Sequence, residues 1–386
     1  MKKSVAIIGG GASSLLVADL LADAFEVTIY EKGKRLGRKF LVAGNGGFNL
    51  TNSVTGDELL SKYSQEVILL NSLTVFDTKS TTNWLNKNGI ETFTGSSGRV
   101  FPVDLKPAEV LSKLQSKIEQ KGVKLKFNEE FTSFSESNIP ILNGIEILAD
   151  YYIFALGGAS WRKTGSDGSW LQAFNKIGIE TSNFQASNCG LNINWKEDFK
   201  SKFEGTPLKN ISIKCDDFIQ KGEAVITKYG LEGNAIYPIS SFVRNSELNE
   251  ISIDFKPQNN LDDLLKKVHP NIKSKNYSHT FNLKKHEIEL IKQFTSKEEY
   301  LNPELFCETI KSLQFPIESL RPIEESISTV GGINFRNLNE DFSLMKAPNI
   351  FTIGEMVNWD APTGGFLLQG CFSIAYTASQ SIINKG

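Results

Sequence analysis

A glycine turn set between two apolar runs, with an acid ending the second, gives this chain the residue types to hold a phosphate-bearing nucleotide. Val5-Ala6-Ile7-Ile8 reads as a buried strand, Gly9-Gly10-Gly11-Ala12-Ser13-Ser14 as the turn and Leu15 to Ala24 as a helix. Val27-Thr28-Ile29-Tyr30 is a second strand, closed by Glu31 twenty-two positions after Gly9. Gly9 permits the tight turn, and Gly11 admits a pyrophosphate to the free N–H groups that open the helix. The Glu31 carboxylate accepts from a ribose hydroxyl pair and repels a 2′-phosphate. Ser14 replaces the third fingerprint glycine and is small enough to keep most of the helix–strand approach.

A second set of backbone amides is expected at the other end of the chain. Asn349 to Ile353 reads as a strand ending at Gly354-Glu355. The loop Trp359-Asp360-Ala361-Pro362-Thr363 then leads to Gly364-Gly365 and a final helix from about Phe366 to Ile383.

Side chains for proton transfer are scarce. His269, His279 and His286 all lie in one polar stretch, so any catalytic acid or base in the nucleotide-binding part is another residue or water. Arg99, Lys163, Tyr229 and Asp360 sit in glycine-bounded loops. Arg99 leads as an anion or carbonyl anchor, with Lys163 and Asp360 behind it. Cys189, Cys215, Cys307 and Cys371 are widely spaced, with no C-x-x-C and no zinc-ligand pattern, so buried or idle thiols are expected and no metal site.

The elements that position these residues follow an α/β grammar. Pro107 opens a helix with an apolar stripe of Val110, Leu111, Leu114 and Ile118, stopped at Gly122, and Tyr151 to Leu156 is a further buried strand. Residues 1–188 and 345–386 are expected to form a doubly wound nucleotide-binding domain, 189–255 and 321–344 a small β-rich insert, and 256–320 a helical subdomain opened by the caps Asn260 and Asn302. The 386 residues carry 42 basic and 44 acidic side chains, a net charge of −2, which gives no nucleic-acid footprint. Lys2-Lys3 and the following apolar residues mimic a secretory signal, but three glycines and Asp19 interrupt it. No apolar run is long enough to span a bilayer, and a cytoplasmic location is expected.

Five segments then occur in one order: the opening turn, Gly44-Asn45-Gly46-Gly47-Phe48-Asn49-Leu50-Thr51-Asn52, Gly98-Arg99-Val100-Phe101-Pro102, Ala155-Leu156-Gly157-Gly158-Ala159-Ser160, and Gly354-Glu355 with Thr363-Gly364-Gly365-Phe366. That order resembles the BaiN/YhiN-like bacterial flavoproteins, an aminoacetone-oxidase-like group of NAD(P)/FAD-dependent oxidoreductases. The resemblance implies FAD in a glutathione-reductase-like, Rossmann-like fold with an inserted β-barrel-like domain. Carried over by position, Gly9, Gly11, Ala12 and Ser13 hold the pyrophosphate, Glu31 and Lys32 the adenosine ribose, and the Phe131 backbone the adenine. Gly354 and Glu355 lie beside the pyrophosphate and ribityl chain. Gly364, Gly365, Phe366 and Leu367 face the pyrimidine edge of the flavin, where a helix N-terminus stabilises the charge of the reduced ring. Arg38, Lys39, Gly44, Asn45, Ala155 and Gly157 complete the implied set. The arginine and cysteine that relatives carry are absent at Gly47-Phe48, and Phe48, Trp161 and Trp359 read as core aromatics before they read as walls of a substrate site.

The expected function is an FAD-dependent oxidoreductase exchanging a hydride with a small organic molecule between the nucleotide domain and the insert. No second G-x-G-x-x-G exists for a dedicated NAD(P)H domain, which leaves open transient docking of a nicotinamide donor or of oxygen as acceptor, and with it oxidase, dehydrogenase and reductase alike. The alternatives are an NAD-dependent dehydrogenase and a flavin-binding sensor without turnover. A flavin-dependent RNA-modifying enzyme is disfavoured by the charge.

Overall fold

A computed structural model describes residues 2–42, 48–245, 250–270 and 272–386, which divide into two units, 1–185 with 328–386 and 186–327. Gly44 and Asn45 lie outside the described residues.

The first unit is built on a six-stranded sheet. In spatial order its strands are Ser343–Leu344, Ala347–Thr352, Tyr151–Phe154, Ser4–Ile8, Glu26–Glu31 and Lys124–Phe127. The last five are parallel, and Ser343–Leu344 is an antiparallel edge. Parallel strands buried on both faces must be apolar throughout, as Val5, Ala6, Ile7, Ile8, Ile153 and Phe154 are. The chain leaves Ser4–Ile8 toward one side and Tyr151–Phe154 lies on the other. A crevice therefore opens at the carboxyl ends of these strands, the place where open α/β sheets bind ligands.

Three helices flank the sheet. Ala12–Leu21 follows the glycine turn, Pro107–Gln120 shows its expected buried stripe, and Phe366–Lys385 runs through the core. Asp19, the acid that argued against a signal peptide, is buried in the first helix. It accepts from Trp84 Nε1 at 2.8 Å and pairs with Lys121 at 2.9 Å, tying three helices together. Residues 51–102 contribute a small antiparallel sheet of Thr51–Asn52, Thr92–Thr94 and Arg99–Pro102 that the sequence pattern did not announce.

The second unit carries a seven-stranded antiparallel sheet. Its two outermost strands, Leu313–Pro316 and Ser319–Leu320, are consecutive in the chain and joined by Ile317 and Glu318, so the sheet must curl round in barrel-like fashion. Short helices between 261 and 311 cover it, opened as expected by Asn260 and Asn302. Residues 328–344, grouped with the insert on sequence, join the first unit, because Ser343–Leu344 bonds to the edge of the parallel sheet.

That edge is fastened to the final helix through Asp341, whose carboxylate accepts from Ser343 and Ser381 and pairs with Lys385 at 2.6 Å. Burial opposes its ionisation, yet these donors outweigh it and hold the pKa at about 2. Because the carboxylate is more acidic folded than unfolded, its stabilisation is present above about pH 4 and fades as pH falls toward 2. Asp341→Asn should therefore cost about 1 kcal/mol in urea unfolding near neutral pH, the shift being discounted for partial exposure, and the gap to wild type should close below about pH 4.

Candidate cofactor site

The glycine turn ends the first strand where two backbones nearly touch. Gly9 has φ +104°, and a Cβ there would stand 2.4 Å from the Ala155 carbonyl oxygen, so only glycine fits. Ser14 Oγ donates to the Gly9 carbonyl at 2.6 Å, so the serine that replaces the third fingerprint glycine helps close the turn. Gly11 differs. A Cβ added there meets only the Ala155 oxygen, at 4.0 Å, so no protein atom requires glycine, and the space beside the helix start is open. The helix at Ala12 has no side-chain cap and no acid in its first turn.

Glu31 does more than the spacing suggested. One carboxylate oxygen accepts the Gly10 N–H and the other the Gly33 N–H, each at 2.7 Å, which leaves each oxygen a lone pair for a ribose hydroxyl. The cations that follow reach one loop. Lys32 pairs with Asp167 at 2.7 Å, Arg38 donates to the Lys163 carbonyl, and Lys39 Nζ donates at 2.8 Å both to Ser160 Oγ and to Glu355. Burial resists ionisation of Asp167, but Lys32 and Ser169 prevail and hold its carboxyl below the usual range.

The two ends of the chain meet here. A Cβ on Gly354 would lie 2.8 Å from Ser13 Oγ and 3.6 Å from Cys371 Sγ, so the carboxy-terminal turn lies against the amino-terminal helix start. Cys371 is six residues, or about 9 Å of helix rise, beyond Gly365. The Cys371 thiol is pushed up to about 12 by burial and the nearby Glu355 carboxylate, so it stays protonated and is no nucleophile. At the helix start Gly365 has φ +98°, and a Cβ there would lie 2.2 Å from the Thr51 carbonyl oxygen. This helix too has no side-chain cap and no acid in its first turn.

Arg99, on the strand paired with Thr51–Asn52, brings Nε within 3.7 Å of a Cβ position at Gly364, and it has no ion pair among the described residues. Phe131 packs its ring among Phe134, Phe154 and Phe174. The Gly157 carbonyl accepts from Trp170 Nε1 at 3.0 Å, and Lys163 is exposed. An oxygen of the Asp360 carboxylate accepts the Ala361 N–H at 3.0 Å. Phe366 is buried and Leu367 half-buried at the helix start. Phe48 is core, edge-on to Phe40, and Trp359 is core, donating to the Gly354 carbonyl at 2.9 Å. Tyr229 belongs to the second unit, beneath the Arg321 guanidinium. Sequence reasoning missed Ser160, Thr51 and Gln369, which hold the site's loops. The one available signal was a glutamine on the apolar face of the final helix.

The site fits a dinucleotide: two uncapped helix starts, a turn with open space at Gly11, and an acid with free lone pairs beside it. The chain matches the family model described as HI0933-like protein Rossmann domain over residues 3–381, and it belongs to that family. It is 22% identical over 395 residues to a ribosomal RNA dihydrouridine synthase of Escherichia coli (strain K12), covering 98% of this chain and 97% of that one. It is 24% identical over 411 residues to the 3-dehydro-bile acid delta(4,6)-reductase of Clostridium scindens, covering 99% of each. Among solved structures, the 3-ketosteroid delta1-dehydrogenase of Sterolibacterium denitrificans shares the fold with TM-score 0.54 at 11% identity, over 100% of both chains. The protein is an FAD-dependent oxidoreductase of this family. No helix among the described residues is long and apolar enough to cross a membrane.

The two glycines of the turn should separate by experiment. Gly9→Ala should lower the melting temperature of the FAD-free protein, because strand and turn must part to admit the methyl group. Gly11→Ala should leave that temperature within a degree or two and weaken FAD binding about tenfold or more by titration, the methyl meeting ligand alone.

Proposed function

We propose that this member of the HI0933-like family exchanges a hydride between FAD and a small organic molecule, adding it to, or removing it from, a carbon–carbon bond conjugated with a carbonyl. The observation that carries the reading is the contact of Gly354 with Ser13, which brings the amides of both chain ends within reach of one dinucleotide. The substrate class is supported by the names of two relatives. Forming dihydrouridine and reducing a bile acid at delta(4,6) both add hydrogen across a double bond.

Bound FAD supplies or takes up the hydride. Gly9 makes the turn, its own N–H donating to the Tyr30 carbonyl at 2.8 Å, so Gly11, Ala12 and Ser13 direct N–H groups at the pyrophosphate, and the spare lone pairs of Glu31 accept from the ribose. Lys32, Arg38 and Lys39 hold the 160–167 loop beside Ala155 and Gly157, with the Phe131 backbone toward the adenine. Gly354 and Glu355 line the middle of the site. Gly364, Gly365, Phe366 and Leu367 present the second helix start to the flavin's pyrimidine edge. Arg99 anchors the substrate carbonyl. As hydride reaches the carbon β to it, negative charge grows on that oxygen, and an unpaired guanidinium stabilises it. The proton that completes the addition arrives through solvent, since every histidine of the chain lies in the second unit. Lys163 and Asp360 rank behind Arg99, because one points to solvent and the other accepts within its own loop. A uridine in ribosomal RNA offers the same conjugated bond, but a net charge of −2 favours a small substrate.

Purified protein should yield FAD on extraction and show flavin bands near the visible blue. Reduced anaerobically by NADH or NADPH, it should be reoxidised by an α,β-unsaturated ketone, and Arg99→Ala should lower kcat/KM about 100-fold with FAD content unchanged. Reoxidation by ribosomal RNA with no response to any enone would move the assignment to RNA. A flavin that accepts no electrons would make the protein a sensor.

A further inference from the structure

We propose that Gln369 is a positioning residue that sets the flavin's reduction potential by fixing the start of the final helix. The inference rests on the reading above that this helix start faces the pyrimidine edge.

Gln369 is fully buried, yet its amide uses its full hydrogen-bonding capacity. Its Oε1 accepts from the hydroxyls of Thr51 at 2.7 Å and Thr81 at 2.8 Å. Its Nε2 donates to the Phe76 carbonyl at 2.9 Å and to Ser373 Oγ at 3.0 Å. A buried network satisfied at every atom is rigid and specifies one arrangement, whereas a half-satisfied one is costly. Gln369 stands one helical turn beyond Gly365, and Thr51 is the residue whose backbone carbonyl touches Gly365. The side-chain bond and the backbone contact therefore pin the same two segments together.

The neighbouring bonds divide donors from acceptors. Asn52 Nδ2 donates to the Gly364 carbonyl at 2.9 Å, the Tyr63 hydroxyl to the Phe366 carbonyl at 2.6 Å, and the Gln369 N–H to the Gly365 carbonyl at 3.0 Å. Three successive carbonyl oxygens are thus taken up by the protein, and the N–H groups of that turn carry no side-chain cap. What the turn offers a ligand is partial positive charge alone. That charge favours the reduced flavin only if the turn stays in place, because the effect fades within one turn of the helix end. None of the groups around Gln369 is charged, so its influence works through position.

The test measures the midpoint potential of the FAD-loaded protein against a reference dye. Thr81→Val, which removes one donor and nearly preserves shape, and Gln369→Leu should each shift the oxidised-to-reduced ratio at fixed ambient potential about tenfold toward the oxidised form, with one FAD retained per chain. Ser379→Ala removes another buried hydroxyl from the same helix, one that donates to the Ala375 carbonyl. It should lower the melting temperature and leave the potential unchanged. Leu367→Asp adds a carboxylate to the first turn and tests the underlying reading. If it shifts the potential while Thr81→Val and Gln369→Leu do not, the role of Gln369 is overturned. If none of the three moves it, the flavin does not face this helix and the placement itself falls. Should Gln369→Leu fail to fold, Thr81→Val alone decides the matter.

Discussion

Backbone meeting backbone is the constraint on which the site depends. The Ala155 carbonyl lies where a Gly9 side chain would begin, and the Thr51 carbonyl where a Gly365 side chain would begin. Such approaches are closed to any residue with a Cβ. The first brings the peptide groups near residues 10 and 155 together, and the Gly354 turn lies against Ser13 beside them. The apolar strands and the helices packed on them are the means of holding these glycines still. Core packing at Ile7, Ile8, Phe154, Phe351 and Phe372, all essentially inaccessible to water, supplies that rigidity.

The polar side chains of the first unit mostly fasten loops around the crevice. Lys39 bridges Ser160 and Glu355, Glu31 bridges Gly10 and Gly33, and Gln369 bridges Thr51, Thr81 and Phe76. Lys39 and Gln369 join segments far apart in the chain, and Glu31 ties the glycine turn to the end of the next strand. Arg99 lacks such an ion-pair tie among the described residues while lying at the second helix start, which is why it carries the substrate's charge in the proposed reaction. An arginine there delivers charge without a proton to lose, in keeping with a unit that has no histidine to titrate.

How much of this was legible in sequence depended on whether the signal was local. The opening turn, the acid closing the second strand, the Gly354 strand end and the final helix were readable, because apolar periodicity and glycine placement act within a few residues. The caps at Asn260 and Asn302 were readable for the same reason. The Lys39–Glu355 ion pair and the Gln369 network were not, since their partners lie some three hundred positions apart and nothing in the spacing links them. Residues 328–344 were grouped with the insert because short alternating strands look alike wherever they pair. Their long-range contacts assign them: the edge pairing of Ser343–Leu344, the bridge from Ile333 to Val357 and the Gly331 N–H donating to Asn358. Ser14 was weighed as a weakened fingerprint, yet its hydroxyl takes the Gly9 carbonyl and turns the substitution into a closure.

The helices of this chain begin in different ways. Four helices that begin at the surface supply their own acceptors: Glu109 takes the Lys106 N–H, Asp263 and Asn260 form a reciprocal pair, Glu287 takes the Lys284 N–H, and Ser296 pairs with Glu299, whereas Val67–Val75 begins at the surface with neither a side-chain cap nor an acid in its first turn. The helices starting at Ala12 and Phe366 have neither a capping side chain nor an acid in the first turn. A cap contributes about 1 kcal/mol, so two of the best-buried helices forgo a stabilisation that more exposed ones take. Orphan N–H groups at a buried helix end are costly unless something accepts from them. In the proposed function a dinucleotide does so at both places, with its phosphates at the first start and the electron-rich edge of its ring at the second. A carboxylate in either turn would compete for the same donors and repel the same charge.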